Sequence, residues 1–292
     1  MVNSRKGEVV SYIILGTMAL TIILPFLLLL SSSFTDESAI ARNGYGFLPS
    51  EFSLAAYEYL LKSAATIGQS YFISIIVTVA GTVIGLILTV LCAYPLSRRD
   101  LPGRSVLTFF VFFTMLFNGG LVPTYLVYTQ IFHIKNHLAA LIVPNLLVQA
   151  YNVMLAKTFF QTSIPVEISE AARIDGAGEL TIFFRVILPL SKPIFATLGL
   201  FISVAYWNDW MNGLVYLTDE SLFSLQNLLY RMTSNIQFLS TSNMGVNTSV
   251  MDLPSQTVRM AIALVGVLPM LAAYPFFQKY FVKGISLGAV KG

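Results

Sequence analysis

Long stretches without any Asp, Glu, Lys or Arg are the feature that most constrains this chain. Five such stretches are also largely apolar, and a sixth is found if one acid, Asp209, is allowed inside it. They are Val9–Thr35, Ser63–Ser97, Ser105–Ile134, Asn136–Ala156, Pro193–Thr218 and Met260–Gln278. An α-helix needs roughly 17–25 apolar residues to span the hydrocarbon core of a bilayer. Because lipid offers the backbone no hydrogen bonds, spanning segments of this kind are helices. The sequence therefore predicts six membrane helices.

The composition agrees with a membrane protein. Hydrophobic residues make up 56% of the chain and charged residues 11%, whereas an ordinary soluble domain carries about 25% charged residues. A soluble fold of 292 residues cannot bury so much apolar surface. The single cysteine, Cys92, excludes an internal disulfide and a cysteine-rich metal site. We predict an all-α integral membrane protein, and we exclude a soluble enzyme, a disordered chain and a secreted disulfide scaffold.

The basic residues favour one orientation in the membrane. With the N-terminus in the cytoplasm, 12 of the 17 Lys and Arg residues fall in inner segments, as the positive-inside rule requires. The five outer ones are Arg42, Lys62, Lys135, Arg231 and Arg259. Both termini are then cytoplasmic. We expect an N-terminal helix and first outer loop over 1–66, a transmembrane core over 67–280 and a short cytoplasmic tail over 281–292. The core carries an inner loop at 157–192 and an outer loop near 219–259.

The inner loop has the pattern of two short helices joined by glycines. Pro165 suits the start of a helix, and Glu167 suits its first turn. Gly176 and Gly178 are expected to end that helix, because glycine readily adopts the left-handed C-cap conformation. A second amphipathic helix is predicted over 179–187. Two interpretations stay open: a helix lying on the lipid headgroups, or a docking surface whose small alanines allow a cytoplasmic partner to approach closely.

This loop resembles the EAA motif of ABC importer permeases. The matching residues are Glu170-Ala171-Ala172, then Gly176, Val186 and Leu188-Pro189. The spacing follows the family pattern, although the family prefers Ile where this chain has Val186. In that family the segment is a coupling helix that sits in a cleft of the ATPase subunit. The resemblance implies that the ATPase-coupling residues are Glu170, Ala171, Ala172, Asp175, Gly176, Leu188 and Pro189.

Two further runs are similar to the carbohydrate-uptake branch of this family, that of the LplC-, YtcP- and aldouronate-type permeases. These runs are 117–125 and 278–284, and the resemblance covers most of the chain from the first span onward. It implies a type I importer in a bacterial cytoplasmic membrane, built from two permeases, two ATPase subunits and an extracytoplasmic solute-binding protein. Such an assembly imports an oligosaccharide or related sugar by alternating access.

ATP is expected on a partner rather than on this chain. No Gly-Lys pair occurs in the sequence, so there is no P-loop, and the permeases of the family have no catalytic residues. We therefore expect no enzymatic activity and no cofactor on this chain, with ATP and Mg²⁺ on the ATPase subunits. His133 and His137 are four residues apart, but they flank Lys135 and lack the Glu of the zinc-protease motif. We expect no metal site.

Asp209 is the one acid within a predicted span. It lies about 16 residues from the cytoplasmic start of the fifth span, which is about 24 Å along a helix. An ionisable residue at that depth indicates a functional site. The residues around it in sequence are Tyr206, Trp207, Asn208, Trp210 and Asn212. This set suits a sugar, because a ring covers the apolar face of the sugar while polar groups bond its hydroxyls. The alternative is an interfacial aromatic belt with a solvated acid.

Other polar residues interrupt the apolar spans. Asn145, Gln149 and Asn152 fall in the fourth span, and Asn118 precedes a glycine pair in the third. The first three are expected either to line a substrate path or to join helices by hydrogen bonds. The break at Asn118 either borders a cavity or permits close helix packing.

Two other classes of membrane protein remain open. An ion-coupled secondary transporter would use Asp209 as its proton or sodium site, and a membrane scaffold would transport nothing. Dependence of transport on ATP rather than on an ion gradient would distinguish an ATP-driven importer from an ion-coupled secondary transporter. A gene neighbourhood that encodes a lipoprotein binding protein and a second permease would count against the scaffold.

The distribution of basic residues predicts that Lys192 is cytoplasmic and Arg231 is outside. Single cysteines at these positions, in a Cys92→Ala background, are exposed to a membrane-impermeant maleimide in intact cells. Position 231 should react at once and position 192 only after permeabilisation. Labelling at 192 but not at 231 would contradict the orientation.

Overall fold

The computed structural model of this chain describes residues 5–241 and 255–288, which belong to two compact units. The first unit comprises Met1–Ile67 and Leu229–Pro269, and the second comprises Gly68–Leu228 and Met270–Gly292. The helices are α1 (Arg5–Ser33), α2 (Glu37–Asn43), α3 (Ala55–Lys62), α4 (Ala64–Ser97), α5 (Arg104–Leu116), α6 (Leu121–Ile131), α7 (Ala139–Ile142), α8 (Ala150–Thr162), α9 (Val166–Ile174), α10 (Glu179–Leu190), α11 (Lys192–Trp207), α12 (Met211–Tyr216), α13 (Leu225–Thr241) and α14 (Ser255–Gly288). This confirms the all-α prediction for the described residues, whose single extended pairing is an isolated bridge between Thr35 and Phe52.

In the first unit, a buried cap joins α2 to the start of α14. The Glu37 carboxylate accepts the backbone N–H groups of Gln256 and Thr257, each at 2.9 Å, together with the Thr257 hydroxyl at 2.9 Å. The first N–H groups of a helix have no partner within the helix, and its N-terminus carries partial positive charge. The Glu37 carboxylate therefore accepts the unpaired N–H groups at the start of α14 and places a negative charge beside its partial positive charge. Of the predicted outer loop, residues 242–254 lie outside the described residues.

In the second unit, α4, α8 and α11 enclose the core. Val77 of α4, Val153 of α8, and Leu198 and Ile202 of α11 are all buried in one hydrophobic cluster. The hydrophobic stretch that predicts each membrane helix also supplies these core side chains. Their burial positions α11 between the inner loop on one side and the Asp209 region on the other.

Glycine allows α4 and α11 to approach closely. A Cβ atom at Gly81 would lie 2.4 Å from the ring of Tyr206, and one at Gly85 would lie 3.4 Å from the Ile202 side chain. Small residues at helix interfaces permit this kind of contact inside membranes. The Tyr206 hydroxyl donates a 2.8 Å hydrogen bond to the Ile142 carbonyl oxygen, which holds the ring against Gly81.

Two of the predicted spans are single long helices. The segment Val9–Ser33 of α1 and the whole of α4 are long and apolar enough to cross a membrane. The sixth predicted span lies within α14, whose segment Gln256–Ala272 forms a shorter apolar helix. The prediction of helices in these three stretches is confirmed.

The third and fifth predicted spans are broken. Helices α5 and α6 meet at 112°, and the break falls at 117–120, which confirms the interruption predicted at Asn118. The expectation of one helix over 193–218 is wrong, because α11 ends at Trp207 and α12 begins at Met211. Helices α10 and α11 also meet at 79°.

The prediction of one helix over 136–156 is wrong. Only the short α7 and the start of α8 fall there, and residues 143–149 between them are irregular. Pro144 lacks an N–H donor, and Asn145 adopts a left-handed φ of 62°. Both features end a helix. A count of uncharged residues cannot detect such a break.

Replacing Gly81 by Ala should destabilise the second unit, because the added methyl group would overlap the Tyr206 ring. Overpacking of this kind costs about 1–3 kcal/mol. The matched control is Gly68→Ala, also on α4, where the added Cβ meets nothing within 4 Å. The free energy of unfolding in mixed detergent micelles should fall for the first variant only. Equal values for both would contradict the close approach of α4 and α11.

Candidate functional site

The inner loop folds as a short helix that begins where the sequence indicates. Helix α9 starts after Pro165, carries Glu167 in its first turn and ends at Ile174. Ser169 is buried against the protein, while Glu170 and Ala171 on the same helix are exposed. The helix is therefore attached along one side and open along the other.

Gly176 makes the turn that ends α9. Its φ is 82°, in the left-handed region that glycine adopts without strain. The N–H of Ala177 donates to the Ala172 carbonyl oxygen, and the N–H of Gly176 donates to that of Arg173, both at 2.9 Å. These two bonds define a Schellman C-cap. The expectation for Gly176 is confirmed, whereas Gly178 has an extended φ of −70° and does not take the left-handed conformation.

The second helix of the loop is anchored in the core. Helix α10 contains a π-helical turn over Phe183–Ile187, and Ile182, Phe183 and Ile187 are buried. The Phe183 ring lies 4.8 Å from that of Tyr94 at the end of α4. Leu188 is half-buried and Pro189 is exposed, immediately before the bend into α11. This packing joins the loop to two long helices.

The outer side of the loop leaves apolar side chains uncovered. Ile174 is 86% exposed and Leu180 is 73% exposed, and Asp175 next to Ile174 is exposed as well. Residues Ile168, Ala171 and Ala172 have the i, i+3, i+4 spacing of one apolar helix face, yet Ala172 turns partly inward. The exposed surface is instead centred on Ala171, Ile174 and Leu180, with acidic residues beside it.

Four charged side chains tie the loop to the end of α4. Arg173 of α9 donates to Asp100 at 2.7 Å, and its Nε donates to Glu179 at 2.8 Å. Arg98 donates to Asp100 at 3.2 Å and lies 3.6 Å from Glu179. The Tyr94 hydroxyl donates to Glu179 at 3.2 Å. This ionic cluster connects α4, the turn after it, α9 and α10.

The pKa of Asp100 reflects its position in the ionic cluster. Partial burial raises the pKa of its carboxyl group, but a backbone N–H bond and the Arg98 guanidinium outweigh that effect and hold it below the usual value. The carboxylate therefore stays charged through the neutral range. Sequence reasoning missed this cluster because Asp100 and Arg173 lie far apart in the chain.

Asp209 lies in the break between α11 and α12. Its Oδ1 accepts the backbone N–H groups of Met211 at 3.2 Å and Asn212 at 3.3 Å, which caps the first turn of α12. Its Oδ2 is buried and has no hydrogen-bond partner among the described residues. Oδ1 of the carboxylate thus caps α12, whereas Oδ2 makes no hydrogen bond within the described residues.

The aromatic residues before Asp209 are packed into the protein. Tyr206 and Trp207 are both buried, and the Trp207 ring lies 6.4 Å from that of Tyr71 on α4. Asn208 is exposed, and its amide donates to the Val204 carbonyl of its own helix at 3.0 Å. In this structure Asn208, rather than the rings, is the solvent-accessible member of the predicted set.

The irregular segment 143–149 meets the Asp209 region. The Asn212 amide donates to the Pro144 carbonyl at 3.0 Å, which places Asn145, an exposed residue, near the start of α12. Asn152 is buried, and its amide donates to Gln149 at 3.3 Å. The fold therefore brings the fourth- and fifth-span candidates together.

Asn118 stands apart from this group. It is exposed in the break between α5 and α6, where its side-chain oxygen accepts the Gly120 N–H at 2.8 Å. Gly120 has a φ of 86°, so the glycine pair permits the sharp bend.

Asn136 is a structural residue that the sequence did not single out. Its side-chain oxygen accepts the N–H of Thr218 at 2.7 Å, and its own N–H donates to the Tyr216 carbonyl at 3.2 Å. It thereby ties the end of α12 to the turn that contains His133 and His137. The His137 ring nitrogen Nδ1 lies 2.8 Å from the Lys135 carbonyl oxygen. Within residues 5–241 and 255–288, no group of three or more His, Cys, Asp or Glu side chains is placed to hold a metal ion.

Comparison with protein families gives a match over most of the chain. The pattern of the family described as "Binding-protein-dependent transport system inner membrane component" matches residues 85–287. Two Bacillus subtilis proteins are similar over the full length. Protein LplC is 38% identical over 100% of this chain and 98% of its own. The polygalacturonan/rhamnogalacturonan transport system permease protein YtcP is 41% identical over 99% of this chain and 100% of its own.

A solved structure has a similar fold. It is a chain of a bacterial ABC transporter involved in the import of the acidic polysaccharide alginate, with a TM-score of 0.78 and 30% sequence identity. The match covers 96% of this chain and 98% of that chain. The similarity in fold therefore extends over nearly the whole length of both chains.

Because Asp209 caps α12 through Oδ1, Asp209→Ala should lower the free energy of unfolding by about 1 kcal/mol, the usual cost of losing such a cap. Asp209→Asn keeps the capping oxygen and should be close to wild type. The control is Asn208→Ala, which removes an exposed amide bonded only to its own helix and should change little. If Asp209→Asn destabilised the protein as much as Asp209→Ala, the capping role would be wrong.

Proposed function

This chain belongs to the family of binding-protein-dependent transport system inner membrane components, and from this premise we propose that it is a membrane-spanning permease subunit that imports an oligosaccharide or related sugar, driven by ATP. The relatives support the sugar class, since one is named for polygalacturonan and rhamnogalacturonan transport and another structure is described as importing alginate. Family membership also disfavours an ion-coupled secondary transporter and a scaffold.

The observation that carries the proposal is the geometry of the inner loop. Helix α9 presents Glu170, Ala171 and Asp175 outward, beside the uncovered side chains of Ile174 and Leu180. A large exposed apolar side chain flanked by acidic groups suits a protein partner more than water. We assign this surface to the ATPase subunit, with Gly176, Ala172, Leu188 and Pro189 shaping the loop behind it.

The implied assembly supplies what this chain lacks. Two ATPase subunits hold ATP and Mg²⁺ and carry out hydrolysis, so this chain is not an enzyme. A second, homologous permease completes the path, and an extracytoplasmic binding protein delivers the sugar. In this arrangement both termini are cytoplasmic, and the chain crosses the membrane six times, the third, fourth and fifth crossings being made by broken helices.

The ionic cluster connects the inner loop to the membrane helices. Closure of the ATPases displaces α9, and Arg173 transmits the displacement through Asp100 and Glu179, since it bonds both. Arg98, at the end of α4, bonds the same carboxylates. Because α4 and α11 pack through Gly81, movement of the loop rotates both helices together and alternates access to the path.

The sugar path is proposed to run past the break between α11 and α12. The polar groups there are the exposed side chains of Asn145 and Asn208 and the buried, unbonded Oδ2 of Asp209, with Gln149 and Asn152 behind them. Tyr206 and Trp207 support this wall by packing. Asn118 is proposed to line the path at the other broken helix.

Gly176→Val tests the coupling role. Gly176 has a φ of 82°. This conformation is unfavourable by about 1–2 kcal/mol for a residue with a side chain, and by more for a β-branched residue, so the C-cap should distort. We expect normal insertion, but loss of the ATP hydrolysis that sugar-loaded binding protein stimulates in the assembled complex. The control is Gly178→Val, at an extended position with nothing within 4 Å of an added Cβ. Equal stimulated hydrolysis in the two variants would refute the coupling role.

Asp209→Asn tests the sugar path, because it keeps the cap and removes the charge. A hydrogen bond to a charged group contributes about 1.5–3 kcal/mol, so apparent affinity or rate of uptake should fall roughly 10- to 150-fold. Basal ATP hydrolysis should persist. Asp219→Asn makes the same change at an exposed carboxylate that caps Ser221 and should leave uptake unchanged. An unaltered uptake curve per assembled complex for Asp209→Asn removes Asp209 from the path.

A further inference from the structure

A cavity of about 450 Å³ lies between α5 and α8. Its lining is divided into a polar and an apolar part. The polar part consists of Arg104, Ser105, Thr108 and Lys157, and the apolar part of Phe109, Phe112 and Met154. Two cations and two hydroxyls therefore face one space, and no acidic residue lines it.

Lys157 is the unusual member of this lining. Its residue is only 9% exposed, and its ammonium group donates one long hydrogen bond, 3.4 Å, to the Thr108 hydroxyl. Within the described part of the chain no carboxylate lies within 4 Å of it. An ammonium that is partly removed from water without a counter-charge is unfavourable. The arrangement therefore calls for an anion in the cavity.

Arg104 adds a second charge that is only partly used. Its Nε donates to the Leu96 carbonyl oxygen at 3.0 Å, while its terminal nitrogens have no hydrogen-bond partner among residues 5–241 and 255–288. The contrast with the nearby ionic cluster is clear, since Arg98 and Arg173 there are both paired with carboxylates. Two cations without a carboxylate partner among the described residues therefore line the cavity.

The apolar part of the cavity continues onto the open surface of α5. Phe109 and Phe112 are both exposed large side chains, and the residues of α5 that follow are apolar apart from Thr114. Arg104 and Ser105 mark the end of this apolar helix, where a spanning helix leaves the hydrocarbon for the headgroup region. Basic pockets between membrane helices at that level bind the headgroups of anionic lipids.

We propose that this cavity binds the phosphodiester headgroup of an anionic phospholipid. Lys157 and Arg104 neutralise the phosphate, the hydroxyls of Ser105 and Thr108 donate to its oxygens, and the acyl chains lie along Phe109 and Phe112. A zwitterionic lipid is disfavoured because its own cationic group would lie beside two unpaired cations. The inference requires only that the chain resides in a membrane and does not depend on the sugar or on ATP.

Lipid binding is measured on the full-length chain, purified with the subunits that accompany it and stripped of lipid in detergent. Phosphatidylglycerol, phosphatidylcholine and inorganic phosphate are each titrated, and native mass spectrometry and the midpoint of thermal unfolding report binding. The variants are Lys157→Met, which keeps the length and removes the charge, and Arg104→Gln. Lys192→Met, at an exposed lysine, is the matched control.

We expect phosphatidylglycerol to bind the wild type and Lys192→Met equally. Lys157→Met and Arg104→Gln should each bind it about tenfold more weakly, as loss of one charged hydrogen bond implies. Lys157→Met should be at least as stable as wild type without lipid, because it removes an uncompensated buried charge. Folding of the variant is thereby checked in the same experiment.

Three results would overturn the proposal. The first is unchanged phosphatidylglycerol affinity in both variants, which would leave Lys157 as a contact for another protein. The second is equal affinity for phosphatidylcholine. The third is the same stabilisation by inorganic phosphate alone, which would indicate a site for a free anion. None of these results bears on sugar import, so the proposed function and the lipid site can fail independently.

Discussion

Every backbone N–H and C=O group in the apolar part of this chain must find its partner within the protein, because lipid offers none. Long unbroken helices meet this requirement in α1 and α4. Where a helix is broken, side chains take over the role. Asp209 caps α12, Asn136 bonds the backbone beyond it, and Asn212 satisfies the carbonyl of Pro144. The breaks are therefore stable features, and they are the places where polar groups reach the membrane interior.

The same constraint links the inner loop to the breaks. The loop is held by buried residues of α10 and by the ionic cluster, while its outer surface stays open. Individual exposed ion pairs contribute little to stability, about 0–1 kcal/mol each, so the cluster is better suited to fixing geometry than to holding the fold together. Its members bond across four segments at once. We propose that a partner that moves α9 also moves α4, and that α11 follows through the Gly81 contact.

Much of this arrangement could be predicted from the sequence, and the reasons differ by region. The uncharged stretches predict α1 and α4 because composition alone decides membrane burial. The left-handed turn at Gly176 could be predicted, since the need for a positive φ at the end of a helix is local and glycine meets it without strain. The irregular segment at 143–149 was missed because Asn145 and Pro144 carry no charge. The pairing of Arg173 with Asp100 was missed because it depends on tertiary contact between distant segments, and the burial of Tyr206 depends on a glycine of another helix.

The central claim is that this chain is the permease of an ATP-driven importer, and reconstituted transport tests it most directly. The complete complex is placed in proteoliposomes with oligosaccharide-loaded binding protein, and uptake is measured with ATP available to the ATPases or with a proton or sodium gradient instead. The account predicts uptake with hydrolysable ATP and none with either gradient alone. Uptake driven by a gradient without ATP would contradict it and would favour a secondary transporter centred on Asp209.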